Sequence, residues 1–575
     1  MFNKTSDVRL TEPRATVEIH LPDGRVYTGP RGTPVGHFLK ALPEWNDPPI
    51  MGAIVNHELR ELTYPIEMDA KVKPVTMSDG DGARIYRRSV TFLLEAAFDE
   101  LFPDAFLIVD HSVASGGFYC EVSNRSPLSK TELEKLEKRM RELVEKDLPI
   151  ERQVVPLNEA IDMFNARGQV DKVRLLKYRQ KEFLVLYRLA EHQDYHHGYM
   201  LPSTGYMRWF AFSQLGDGFV LRFPRRHAPD QLLPMPSYPK LLKTFRQYGD
   251  WLITLGIESV GALNTAIQNE RSQEIILVSE ALHEQKISEI AREIAEKSKL
   301  ARIILISGPS SSGKTTFSRR LAIQLLALGI SPFALEMDNY FVDREATPKD
   351  ENGQYDYEAL EAMNNSALGR DLQKLLAGEE IQMPHYDFKL GKSLPGETLS
   401  IRKDQLIILE GIHGLNPRLL VDIPAEKTFR IYISCLTQLN LDRHNRISTT
   451  DTRLIRRIVR DANTRGYTAQ QTIQRWESVR RGEKRNIFPY QENADELFNS
   501  ALVYEMSALK THAEPLLRQV TFGTDEYIEA KRLLALLEWF LPVSSDLIPD
   551  NSILREFVGG SILGNFKVWR DSHLV

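Results

Sequence analysis

The rhythm of hydrophobic and polar positions changes three times along the chain. Residues 15–76 carry short alternating runs, TVEIHLP and then GAIVNHELREL, separated by Asp23-Gly24 and by a helix start from Thr33 to Leu42. Strands joined by an Asp-Gly turn, a short helix and a further strand pair predict a small α+β unit. Gly80, Gly82 and nearby aspartates punctuate its end. Residues 82–282 then hold a helical stretch from Ser89 to Leu101 and a charged stretch of period 3.6 from Ser129 to Glu145. The strand-like runs FLVLYRLA and GFVLRFP follow, with an irregular crossing between Pro224 and Pro239. In residues 283–520 a helix from Ala281 to Lys299 leads into the apolar run RIILIS, a glycine-serine loop, and a helix from Thr316 to Leu328. Further strands follow at Phe333–Met337 and QLIILEG. Strands alternating with helices predict a parallel α/β sheet. Residues 521–575 read as a helix from Asp525 to Leu541 and a glycine-bearing tail without chemical signal.

At 575 residues the chain is long enough for about four domains. Its 73 Lys and Arg against 78 Asp and Glu, net −5, exclude the overall basicity of a coat or chromatin protein. With 42% hydrophobic and 26% charged residues, wholesale disorder is excluded too. Cys120 and Cys435 are too few for a disulfide framework or a four-thiolate zinc site, so the expectation is a reducing, cytoplasmic setting. Met1–Pro13 is polar, and no run approaches the roughly 20 apolar residues that cross a bilayer, so no membrane partner is expected. Leu533–Val543, interrupted by Glu538 and Pro542, reads as a buried helix.

Residues 308–315 read G-P-S-S-S-G-K-T between an apolar strand and a helix. Gly308 and Gly313 let the backbone wrap a phosphate chain closely. The amides of Pro309-flanked Ser310, Ser311 and Ser312, continuing to Thr316, supply oriented donors. Lys314 would neutralise β and γ oxygens, and Thr315 offers a hydroxyl to Mg²⁺. ATP and Mg²⁺ are therefore the expected cofactors. Asp338 closes one following strand and Glu410 the next, which puts both acids at the carboxyl edge of a parallel sheet, where ligands bind. One can orient or deprotonate an attacking hydroxyl while the other holds Mg²⁺, and Thr315, Glu410 and Asp338 are the candidate metal residues; a helix cap or a surface acid is the plain alternative for either acid. Downstream, DTRLIRRIVRDANTRGY places Arg453, Arg456, Arg457, Arg460 and Arg465 on one helix and its exit, where several guanidinium groups can share a face. They suit a departing phosphoryl group, a solvated face or a nucleic-acid patch, though no aromatic ladder supports the last.

The motifs GPSSSGKTT, MDNYF, QYDYEAL, MPHYDF, ILEGIHGLN and DTRLIRRIVRDANTRG, in this order, resemble the uridine kinase and phosphoribulokinase branch of P-loop kinases across about Ile303–Leu509. The resemblance implies Asp338 as general base toward a sugar hydroxyl, with Glu410 helping to bind magnesium. Asp356 would hold ribose hydroxyls and Tyr386 would lie near the base. Arg460 and Arg465 would be phosphate-clamping lid arginines, and Arg457 part of the acceptor pocket. Three positions depart from the pattern. Gly391 stands where a histidine follows the YDF motif, Tyr467 where the lid has arginine, and Phe341 where tyrosine is usual. All three bear on acceptor recognition, which puts base selectivity in doubt.

Residues 15–76 resemble a TGS domain of β-grasp type, and RIYRRSVTFLLEAAFDELFPDA with GGFYCEV resembles the second additional, editing domain of threonyl-tRNA synthetases. The four editing ligand positions fall on Arg88, Phe92, His196 and Met200, a set that supports neither a metal nor editing hydrolysis. His192, His196 and His197 keep a replacement metal site open beside the plainer reading of a core or surface histidine group. The whole implies ATP- and Mg²⁺-dependent phosphoryl transfer to a small acceptor, the 5′-hydroxyl of a nucleoside. The alternative is an ATP-sensing protein associated with tRNA or the ribosome, without turnover. Arg87, Arg88, Arg225 and Arg226 are the local basic text in that half. An oligomer remains open.

Overall fold

The computed structural model describes residues 12–113, 116–349, 353, 355–387 and 389–566. Most of the N-terminal segment discussed above, together with Gln354, Phe388 and the last nine positions, lies outside the described residues. The first unit is β1 (Thr16–His20), β2 (Val26–Pro30), α1 (Val35–Lys40), β3 (Ile50–Val55), β4 (Glu58–Arg60) and β5 (Ala70–Thr76). Gly24, at φ 88°, closes the turn between β1 and β2. The sheet runs β2-β1-β5-β3-β4, with β1 and β5 parallel at its centre and the other pairs antiparallel. Val17 and Ile19 alternate inward from β1 onto Val35, Phe38 and Leu39 of α1, the β-grasp arrangement. The helix is shorter than the Thr33–Leu42 pattern because Thr33 and Pro34 pair instead with Pro65 and Ile66.

Next come α2 (Gly80–Leu101), β6 (Phe106–Val113), β7 (Gly117–Ser123), α3 (Lys130–Glu145), β8 (Glu151–Pro156), α4 (Val170–Leu176), β9 (Phe183–Leu189), β10 (His192–Asp194), β11 (Ala211–Leu215) and β12 (Gly218–Arg222). They form a four-stranded sheet β11-β12-β7-β6 and a three-stranded one β8-β9-β10. Ser129 and Glu132 close a capping box on α3. α2 begins nine residues before the Ser89 start read from periodicity. Gly82 lies so close to the Thr76 carbonyl that no side chain fits, so this glycine serves close packing of helix on strand rather than a turn.

The third part contains α5 (Ser272–Lys297), β13 (Ile303–Ser307), α6 (Lys314–Ala327), β14 (Pro332–Glu336), the hairpin β15 (Ile381–Asp387) and β16 (Lys392–Leu399), and β17 (Leu406–Glu410). After these come β18 (Thr428–Ser434), α7 (Thr449–Arg465), α8 (Ala469–Asn486), β19 (Glu496–Asn499), α9 (Glu505–Arg518), α10 (Asp525–Leu537) and α11 (Arg555–Val558). The sheet order is β14-β17-β13-β18-β19, every pair parallel. Both faces are buried, so the strands read as unbroken apolar runs. Ile304 and Ile306 join a core with α5, α6 and α10, while Ile303 and Leu305 join another with Phe333 and Leu409.

The halves of the chain share one core. Leu175 and Leu176 of α4 lie in the same cluster as Ile287, Ile306 and Leu533. Beside it, the fully buried Lys172 ammonium pairs with Asp194, and His444, from the segment before α7, reaches the same carboxylate at 2.9 Å. Burial would push the Asp194 carboxyl up, but Lys172 and His444 outweigh it and hold it well below the ordinary range. Arg443 grips Asp171 with N–H···O distances of 2.5–3.1 Å. Removing one partner leaves a buried charge uncompensated, so Lys172→Ala is expected to lower unfolding free energy by about 3–5 kcal/mol. Denaturant titration measures it; a loss below about 1 kcal/mol would show that the pair is not a structural clamp.

Candidate active site

The phosphate loop emerges from β13 at the carboxyl edge of the sheet, between β17 and β18. A Cβ at Gly308 would strike the Ile433 carbonyl, and Gly313 stands at φ 85°, so both glycines are sterically required. Ser311 also takes a left-handed φ of 58°. The buried Ser311 and Ser312 hydroxyls have no partner among the described residues, so the cradle carries unspent donors for a phosphate. Lys314 curls back to donate to the Pro309 carbonyl at 3.2 Å. Burial lowers its pKa, Arg453 and Arg460 push the same way, and Glu410 and Glu556 oppose them.

Thr315 donates its hydroxyl to Glu410 at 2.8 Å. Burial raises the Glu410 carboxyl to about 7 against the pull of Lys314 and Thr315, and the negative fields of Glu556 and Asp338 add to the rise. Asp338 does not close the strand as its sequence position predicts. β14 ends at Glu336, whose last partner is Glu410, and Asp338 follows in a 3₁₀ turn, Met337–Tyr340. Asp338 is exposed as a residue, yet the protein around its carboxyl withdraws it from water and this chiefly raises its pKa; Lys314 and Arg465 pull it down and Glu336 pushes it up. Lys314, Glu410 and Asp338 thus feel one another's fields at one edge of the sheet. Hydroxyl and carboxylate oxygens are the donor set that suits Mg²⁺, with Thr315 and Glu410 placed to hold it.

The five arginines of α7 do not act as one face. Arg453 and Arg456 are buried supports of the loop backbone. Arg453 donates to the Ser310 carbonyl at 2.9 Å and pairs with Glu483, which itself accepts from the Ser310 amide at 3.0 Å. Arg456 pairs with Glu505 at 2.6 Å and donates to the Ser500 carbonyl at 2.8 Å. Arg457, Arg460 and Arg465 instead gather on Asp461, at 3.3, 2.8 and 3.6 Å, and Arg457 also donates to the Ser310 hydroxyl at 2.8 Å. Asp461 escaped the sequence reading, although its i,i+4 spacing from Arg457 and to Arg465 was visible.

The acceptor-side residues flank this edge. Tyr386, on β15, is buried with its ring 5.6 Å from Phe341, three residues beyond Asp338. Asp356 accepts from Arg485 at 3.1 Å. Glu358 lies within the QYDYEAL motif but was not singled out there: burial raises its carboxyl to about 7, Glu483 adds to the rise, and Arg457 and Lys314 pull it down. It therefore lies within electrostatic reach of the loop lysine as well as of Asp356. Gly391 takes φ 70° in the hairpin turn, and the Arg344 guanidinium fills the space a side chain would need. Tyr467 lies under the Arg475 guanidinium, 4.5 Å from its ring centre.

The C-terminal segment read as chemically silent packs on the loop. Ile553 abuts Gly313, and Glu556 accepts from the Thr316 amide at 3.2 Å and hydroxyl at 2.9 Å. Arg319 and Asn463 hold the same segment through the Leu563 and Phe557 carbonyls at 2.9 and 2.8 Å.

In the N-terminal half, Phe92 packs 5.1 and 5.5 Å from His192 and His196, Arg88 donates to the Tyr199 carbonyl at 2.5 Å, and Met200 is buried beside Ser89. The four positions adjoin, but they bring one imidazole. Glu95, His192 and Asp194 lie close enough to share an ion. Asp194 is already matched by Lys172 and His444, and Glu95 by His196 at 3.0 Å, so the cluster is internally compensated. His197, whose pKa burial depresses to about 3, accepts from the Trp539 indole at 3.3 Å, apart from that group.

With this geometry in view, comparison with known proteins divides the chain in two. Residues 303–505 match the model of the Phosphoribulokinase / Uridine kinase family. The N-terminal region matches threonine-tRNA ligases, that of Burkholderia lata at 33% identity over 204 residues and that of Azoarcus sp. (strain BH72) at 31% over 202. Each alignment covers 35% of this chain and 32% of the relative, so the chain spans about a third of the length of these curated relatives. The solved structure of a possible uridine kinase from Bacillus stearothermophilus is 18% identical, with a TM-score of 0.26, over 37% of this chain and 98% of that one.

Glu556 spends donors at the start of α6 that an anionic ligand would otherwise use. Glu556→Ala is therefore expected to tighten ATP binding by about threefold or more, because the ligand no longer competes with a tethered carboxylate. Calorimetry on both proteins decides it; equal or weaker affinity in the variant would overturn the competition.

Proposed function

We propose that this protein transfers the γ-phosphoryl group of ATP to a hydroxyl of a small acceptor, the 5′-hydroxyl of a nucleoside. The observation that carries this reading is the meeting of Lys314, the Thr315–Glu410 pair and Asp338 at one sheet edge, beside a loop with unspent donors. A nucleotide sensor needs the loop but has no use for the Asp338 carboxylate beside it.

The loop amides, the Ser311 and Ser312 hydroxyls and Lys314 hold the phosphate chain. Mg²⁺, held by Thr315 and Glu410, supplies charge neutralisation on the phosphate oxygens when bound. Asp338 accepts the proton of the acceptor hydroxyl as its oxygen bonds to the γ-phosphorus. The bond from that phosphorus to the β,γ-bridging oxygen breaks, and its electron pair leaves with ADP. The raised pKa of Asp338 makes it a stronger base than a free aspartate. Arg460 and Arg465 exchange Asp461 for phosphoryl oxygens and offset charge there, with Arg457 nearest the loop. Asp356, Tyr386 and Glu358 line the approach of the acceptor, and the kinase unit spans 283–520 in this reading. The substitutions at Gly391, Tyr467 and Phe341 remove polar groups from that approach and favour broad base tolerance.

Asp338→Asn should keep ATP affinity and lower turnover by about 10²-fold or more. Arg460→Ala and Arg465→Ala should each lower turnover by about 10³-fold with little change in melting temperature, because Asp461 keeps two other partners. Monophosphate formation from a panel of nucleosides and sugar phosphates reads the activity. Wild-type turnover in Asp338→Asn would remove it as the base. No product from any acceptor would favour an ATP-sensing role.

A further inference from the structure

A second basic cavity borders the N-terminal turn of the same arginine helix. A cavity of about 560 Å³ opens between α2, β7 and the segment after β12 on one side, and the N-terminal turn of α7 with α8 on the other. Its lining counts nine arginines and one lysine against three carboxylates. Those carboxylates are spent. Glu529 and Asp451 grip Arg84 and Arg532 at 2.6–2.9 Å, and Glu477 holds Arg226 at 2.7 Å. Among the described ion pairs, none serves Arg87, Arg88, Arg446 or Lys484.

Aromatic rings hold two of these cations instead. Arg87 lies over Phe223 at 5.1 Å and Arg446 over Phe118 at 4.8 Å. Stacking orients a guanidinium plane and leaves its N–H edge available. Arg446 donates one Nη to the Ile447 carbonyl at 2.9 Å, while the buried Nε of Arg87 and of Arg446 has no hydrogen-bond partner among the described residues. Burial pushes Arg87 down to about 9, and Arg446, Arg84, Arg225 and Arg480 push it the same way. Burial, with Arg480, Arg226 and Arg87, brings Lys484 to about 8, and burial brings Arg446 to about 10. Like charges are thus crowded together while Arg87, Arg88, Arg446 and Lys484 have no carboxylate paired to them among the described residues, a cost that a bound anion offsets. Ser448–Asp451, the positive end of α7, border the same space.

We propose that this cavity binds a small ligand carrying several linked phosphates, of the nucleoside polyphosphate class. The number of unmatched cations calls for more than one phosphate. The volume lies within the range of small-ligand pockets, and the walls come from both halves of the chain, which suits an enclosed ligand over a nucleic-acid strand laid on a surface. The site is separate from the phosphate loop but shares a wall with it: Arg453 lines the cavity and donates to the Ser310 carbonyl. The proposal does not rest on the kinase reading.

Calorimetry with inorganic tripolyphosphate, without Mg²⁺, on full-length Lys314→Ala protein tests it with the phosphate loop disabled. One saturable site is expected, its affinity falling steeply with salt. Arg87→Ala combined with Arg446→Ala should weaken it by about tenfold or more, and Arg87→Lys by less. Should the double variant fail to fold, the single variant Lys484→Ala reads the same site and should weaken binding by about threefold. Adenosine tetraphosphate and a short single-stranded RNA without terminal polyphosphate form the other arms. Tetraphosphate binding with the same dependence on Arg87 supports the proposal. RNA binding in the absence of tripolyphosphate binding overturns it, as does affinity unchanged by the cavity variants.

Discussion

The buried pairing of Arg453 with Glu483 is the interaction on which the rest of the active edge depends. One carboxylate takes the amide of Ser310, one guanidinium takes its carbonyl, and the two are paired to each other, both almost wholly out of water. A glycine-rich loop gains little from side-chain packing, so its shape must be imposed from outside. Here α7 and α8 impose it. Fixing that loop sets where Lys314 and Thr315 begin their helix, and hence where Glu410 and Asp338 can meet them.

Because α7 is pinned on one side to the phosphate loop, its other contacts become informative. Its N-terminal turn faces the arginine-lined cavity, and its last turns carry the three arginines collected by Asp461. One rigid helix thus touches two anion-seeking regions, with a two-residue ion pair between them. The C-terminal segment adds a carboxylate, Glu556, to the loop region, so the chain offers its own negative charge where a nucleotide would bring one. The two regions handle their cations differently: Asp461 collects those at the end of α7, whereas Arg87 and Arg446 rest on the rings of Phe223 and Phe118.

The phosphate loop, the parallel sheet and the strand-end Glu410 were legible because they depend on local order, whereas Asp338, expected at a strand end, falls in the 3₁₀ turn beyond it. An apolar run buried on both faces, a glycine-framed turn and a helix follow one another directly in the chain. The β-grasp unit was legible for the same reason, through alternation and an Asp-Gly turn. Less visible were the separate duties of the α7 arginines. Spacing puts them on a helix, but only Glu483, Glu505 and Asp461 decide which are structural supports and which remain on the ligand side. Glu358 was hidden in an aromatic-rich stretch, since its elevated pKa comes from burial and from neighbours such as Glu483, distant in sequence.

From the order of residues alone came the kinds of chemistry available: a phosphate cradle, paired acids, a lysine, a row of guanidinium groups, and a histidine cluster that left a metal site open. Tertiary structure alone decided their neighbours. Glu556 reaches Thr316 across 240 positions, and Arg87 meets Arg446 and Arg480 only because the two halves of the chain share a core. Electrostatic fields and desolvation act through space, so the state of each charge was settled by folding rather than by sequence neighbours.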